Sequence, residues 1–294
     1  MAMPKPPPFE RPKFRQLLTI LGLLWLGALG VVRLSQGLGW LPLNFSEPIA
    51  ILILYLLLFG GSSLWVVWQY RRHRINLRSL IGPWPSRRQW RTVLSLWVTL
   101  FIFSMGSFQV SYTLISWVWP EPVEAVLQQS LFLSAAETSV PWLYNTLLLG
   151  ILVIGAPVLE EFLFRGFLLH RWGTRWPLAV AVMLSSGLFG LLHSNVIGLS
   201  AFGLVMALLY LRSRSLGLVV GIHSLNNAIA AGLEILTRLL GGGLTPSLDT
   251  FRANLWLGVM FLFVSTPFLV RFVRQNWRIT QAPLPYFAHH NRTP

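Results

Sequence analysis

The feature that most limits what this chain can become is a succession of long apolar runs with almost no charge inside them. A helix that crosses the hydrocarbon core of a bilayer needs about 20 largely apolar residues. Runs of this kind fall at 17–34, 49–69, 93–118, 142–172, 178–200, 202–213, 215–233 and 255–273. Only helices or closed barrels satisfy every backbone N–H and C=O in lipid. Runs of this length without alternation indicate helices, so the expected fold class is all-α, a polytopic membrane bundle of about eight transmembrane helices.

Charge placement tests that division, because basic residues concentrate in cytoplasmic connections. The segment 71–91 carries seven arginines, whereas 119–141 holds Glu121, Glu124 and Glu137 with no basic residue. Arg171 and Arg175, then Arg212 and Arg214, then Arg271, Arg274 and Arg278 return to the side of the first cluster. Both termini are therefore expected in the cytoplasm. A basic, Pro-rich tail covers 1–16, one integral-membrane domain covers 17–273, and a second tail covers 274–294. The formal charge of +14 comes from short clusters between apolar runs, which argues for topogenic signals and anionic lipid contacts rather than for nucleic acid. With no cysteine in the chain, any chemistry must use oxygen and nitrogen groups.

Against this background the stretch PVLEEFLFRG, residues 157–166, stands out. A charge at the centre of a membrane helix costs about 2.5–3.5 kcal/mol on insertion scales, so Glu160, Glu161 and Arg165 need compensation. Glu161 and Arg165 are four apart and can pair across one turn. Glu160 points about 100° away from Glu161 and is free to face a polar chamber. Phe189 and His193 share a helix side by the same spacing, as do His223 and Asn227; His170 falls at the inner interface. At about 1.5 Å rise per residue, Glu160, His193 and His223 each come within about 6 Å of the membrane midplane, which points to one shared chamber. Two chemistries fit these groups. Glu160 and His193 can activate water, with His223 and Asn227 donating to an oxyanion, or Glu160, His193 and His223 can ligate zinc.

The ordered set EEFLFR at 160–165, FGLLH at 189–193 and HSLNN at 223–227 resembles the CPBP intramembrane metalloprotease family, also described as the CAAX protease and bacteriocin-processing (Abi-like) family. The resemblance centres on about 140–233. It implies a multihelical membrane hydrolase, an endopeptidase in which Glu160 activates water and Glu161, Arg165 and Phe189 support it. His193 would position water or metal, and His223 and Asn227 would bind substrate or the oxyanion. Zinc and a metal-free glutamate mechanism both remain open under it. The implied partners are membrane lipids and a peptide or membrane-protein substrate, with no nucleic acid. The expected location is a plasma membrane of bacterial type, and nothing in the sequence sets the oligomeric state. A nonenzymatic interaction or immunity protein and a proton-coupled transporter are the competing readings, since each can place Glu and His inside a membrane.

Overall fold

The computed structural model describes residues 8–38, 48–134, 137–138, 140–240 and 246–290. Within them the regular structure is entirely helical. Eight helices form the bundle: α1 (Phe14–Leu38), α2 (Pro48–Arg72), α3 (Arg87–Ser116), α4 (Pro141–Gly173), α5 (Leu178–Leu191), α6 (Val196–Ser213), α7 (Leu216–Leu239) and α8 (Leu255–Asn276). Short helices at Leu77–Ile81, Pro120–Leu127, Leu248–Ala253 and Pro285–His290 lie between or after them.

Seven helices of the described residues are long and apolar enough to cross a membrane. The fifth expected run is the exception. Instead of spanning 178–200, α5 stops at Leu191 after 14 residues, about 21 Å of helix, and α6 starts at Val196 rather than at 202. The break comes earlier than hydropathy indicates because Asn195 is an N-cap: its Oδ1 accepts the Gly198 N–H at 3.1 Å. Its Nδ2 donates to the Ser104 carbonyl at 2.8 Å, so α3 holds the break in place. Tyr112 adds a hydroxyl bond to the Ser194 carbonyl at 3.1 Å. Past this turn α5 and α6 run back against each other, closely enough that a Cβ on Gly190 would stand 2.5 Å from the Val196 carbonyl oxygen.

Pro157 shapes α4. Proline has no N–H to give to the preceding turn, and the helix just before it, Ile151–Gly155, widens into π register. Ala156 donates to the carbonyl of Ile151, five residues back. In that register the carbonyl of Leu152 would look to residue 157 for its donor, which is the proline. Asn227 of α7 supplies it instead, at 2.8 Å. A second wide turn covers Phe162–Leu168, where the Tyr70 hydroxyl caps the Gly166 carbonyl at 2.7 Å.

The basic N-terminal tail is anchored at its described end. Phe9 is fully buried, 4.9 Å from the rings of both His170 and Tyr286. His170, expected at the interface, is itself fully buried, with Nδ1 bonded to the Arg165 carbonyl at 2.8 Å. The Phe9–Tyr286 contact brings the segments flanking α1 and α8 together at one end of the bundle.

Candidate active site

The polar groups singled out in α4, the α5–α6 turn and α7 meet in the interior. Glu161 is fully buried. Its Oε1 accepts from Arg165 Nη1 at 2.8 Å and from His223 Nδ1 at 3.0 Å. Arg165 gives a second bond, from Nη2 to the Gly203 carbonyl of α6 at 2.8 Å, and its guanidinium carbon stands 5.0 Å from the Phe189 ring centroid. Glu161 and Arg165 thus form the expected brace, and the brace also orients His223.

Glu160 faces elsewhere. Its Oε1 accepts from the Tyr55 hydroxyl of α2 at 2.9 Å. Its Oε2 is buried with no hydrogen-bond partner in the protein, yet lies 3.9 Å from Nε2 of His193 and 3.9 Å from Nε2 of His223.

The tautomers follow from what each Nδ1 touches. His193 Nδ1 lies 2.7 Å from the Phe189 carbonyl oxygen, which can only accept, so Nδ1 carries the hydrogen and neutral His193 turns a bare Nε2 lone pair to Glu160. His223 Nδ1, against the Glu161 carboxylate, also carries a hydrogen, and its Nε2 accepts when the ring is neutral and donates when it is protonated. Glu160 Oε2 and His193 Nε2 are thus two acceptor atoms beside a small polar space, a natural seat for a water molecule with two hydrogens to give. Side-chain exposure is 31% for His193 against 8% for Glu160 and 4% for His223. The space is approached past His193.

His193 lies just beyond the end of α5 and not within a helix, as its spacing from Phe189 implies. The pairing survives because the chain is still turning, and the two rings stand 4.7 Å apart at 30°. Phe189 is fully buried between Arg165, His193 and Phe202. Asn227, one turn after His223, spends one of its two amide hydrogens on Leu152 and so ties α7 to the wide turn that precedes Glu160. Asn226 donates to Asn227 Oδ1 at 3.4 Å.

Two imidazole nitrogens and a carboxylate oxygen make a chemically suitable zinc set, and an Nδ1 hydrogen bond is what orients a ligating histidine. Spacing tells against it. Zinc bonded at about 2.0–2.1 Å in tetrahedral geometry sets neighbouring donors roughly 3.4 Å apart, closer than the 3.9 Å separations here. A water held about 2.8 Å from each donor fits that gap with an angle of about 90°. Among the described residues no group of three or more His, Asp or Glu is arranged to hold a metal ion. The donors as placed do not fit a tetrahedral zinc.

Tyr55, Phe202 and Asn195 complete the site without having been singled out in the sequence. Phe202 packs edge-on to His223, centroids 5.1 Å apart. Asn195 carried a readable signal, a capping residue immediately before an apolar run. Tyr55 and Phe202 carried none, being ordinary aromatics in apolar helices.

Fold and site together define an integral-membrane helical bundle with a buried glutamate, histidine and asparagine cluster of catalytic type. Residues 141–229 match the family described as type II CAAX prenyl endopeptidase Rce1-like, so the CAAX-protease family resemblance of the three motifs holds across this part of the chain and supports a protease-like role. Neither the curated proteins nor the solved structures compared with the chain gave a match.

Proposed function

We propose that the chain is an intramembrane endopeptidase that hydrolyses a peptide bond of a membrane-associated substrate. The observation that carries this reading is Glu160 Oε2, buried without a protein partner and facing the Nε2 atoms of His193 and His223 at 3.9 Å. A water between them gives one hydrogen bond to Glu160 and the other to His193 Nε2. As its oxygen attacks the scissile carbonyl carbon, the proton passes to Glu160, and the carbonyl oxygen takes the negative charge. His223 in its protonated form donates from both nitrogens, so it can hold Glu161 through Nδ1 and the oxyanion through Nε2. Asn227 has a second amide hydrogen for the same oxyanion. Collapse of the adduct breaks the C–N bond, and Glu160 returns the proton to the departing amine.

The match at 141–229 supports a protease-like role and leaves the substrate to be found. The clustering of arginines supports an orientation with both ends of the chain on the cytoplasmic side, and we take the membrane to be a plasma membrane of bacterial type. The test is cleavage of membrane peptides by the reconstituted protein, with Glu160→Ala and Glu160→Gln as controls and product ends identified by mass spectrometry. Cleavage is expected to vanish in both variants and to survive exhaustive chelation. Undiminished cleavage in Glu160→Ala would sink the mechanism, and activity lost to chelator and restored by zinc would transfer it to a metal.

A further inference from the structure

A second feature lies at the end of the bundle where α3 and α7 begin and α6 and α8 end. These helices enclose an open groove of about 970 Å³, with Leu96, Leu218 and Phe272 among its apolar walls and Arg212 at its rim. It adjoins a hollow of about 480 Å³ that shares Arg212 and adds Arg278. No Asp or Glu lines either space, and no residue of α4 contributes.

The groove has a cause in the sequence. Toward the opposite end α3 and α8 touch through glycines: a Cβ on Gly106 would stand 2.9 Å from the Gly258 carbonyl oxygen. Each α8 residue that lines the groove follows Pro267, which lies inside that helix. A proline there removes a backbone bond and bends the axis. Arg212 is steadied by one bond from Nη1 to Asn276 Oδ1 at 3.0 Å, which leaves most of its five N–H donors for a ligand.

A slot whose walls combine Val93, Leu96 and Phe272 with the polar Ser95, Thr99 and Gln275, and whose mouth is cationic, suits an occupant with an acyl chain and a polar, anionic head. We infer that this groove binds an anionic phospholipid, its phosphate on Arg212 and Arg278 and one chain laid between α3 and α8 against Leu96 and Phe272. Guanidinium groups match phosphate oxygens in geometry as well as charge, and basic pockets between membrane helices take anionic head groups. The site is separate from the Glu160 cluster, so the inference stands or falls without the proposed hydrolysis.

The full chain, reconstituted with equal amounts of phosphatidylglycerol and phosphatidylcholine, is examined by native mass spectrometry for retained lipid. Two arginines near the head group favour the anionic lipid by roughly thirtyfold. Arg278→Gln alone, which leaves the Arg212–Asn276 bond in place, is expected to cost about fivefold of that preference, and Arg212→Gln with Arg278→Gln to abolish it. Arg271→Gln with Arg274→Gln removes two exposed charges that line neither space and is expected to leave it intact. Equal retention of the two lipids by the unaltered chain, or equal losses in the two double variants, would overturn the assignment.

Discussion

Replacing Tyr55 by phenylalanine removes a single oxygen atom from the wall of the site. The ring at position 55 stacks on Phe59, centroids 4.6 Å apart and planes 17° from parallel, and phenylalanine keeps that contact. What disappears is the 2.9 Å hydroxyl bond to Glu160 Oε1. Because Oε2 has no protein partner, the Tyr55 bond is what fixes the rotation of the carboxylate that turns Oε2 toward the two histidines. Hydrogen bonds to charged groups contribute about 1.5–3 kcal/mol, and each 1.36 kcal/mol in a barrier is about tenfold in rate. If the bond acts through the orientation of Glu160, kcat should fall by about 10- to 150-fold with KM almost unchanged. Steady-state cleavage of the peptide identified with the unaltered chain provides the measurement. Activity within about twofold of the original, or a change confined to KM, would refute this positioning role while leaving Glu160 itself untouched.

Three further outcomes follow from the packing. Arg165→Met strands the Glu161 carboxylate and is expected to cost about 3–5 kcal/mol, read as a lowered midpoint of thermal unfolding; adding Glu161→Gln should recover part of it, and an unchanged midpoint for the single variant would contradict the brace. Gly190→Ala pushes a methyl to 2.0 Å from Ser200 Oγ and 2.5 Å from the Val196 carbonyl oxygen. Overpacking of this kind costs about 1–3 kcal/mol, and Ser200→Gly should give only partial relief because the backbone contact persists; complete rescue would show that the α5–α6 contact is looser than described. In the loop before α4, the Ser134 hydroxyl and backbone N–H hold the Glu137 carboxyl below its ordinary range. Its folded value is depressed, so its contribution is present above the ordinary carboxylate range and is lost as pH falls through the lowered value. Proteolysis of this loop should rise on acidification in the unaltered chain and vary less with pH in Glu137→Gln; parallel pH curves would dispose of the idea.

Much of this protein was legible residue by residue. Apolar run length alone gave helices in nearly the right places, because lipid allows a backbone few other ways to satisfy its polar groups. The four-residue spacing of Glu161 and Arg165 was enough to predict their bond, because helix geometry is local. Hydropathy ran on through 192–195, however, where one capping side chain and its partners on α3 interrupt the helix. Its average over many residues cannot register a single hydrogen bond.

The sequence by itself determined the membrane class, the alternation of basic and acidic connections, and the different directions in which neighbouring Glu160 and Glu161 face, all of which depend on composition or on one turn of helix. Only the tertiary structure decided that His223 answers to Glu161 through one nitrogen and to Glu160 through the other. It alone brought Tyr55, 105 residues away in sequence, to the remaining oxygen of Glu160, and gave Asn227 to the carbonyl that Pro157 leaves without a donor. These pairings join atoms on different helices, and their distances depend on how the helices pack, a quantity that no local pattern of residues encodes.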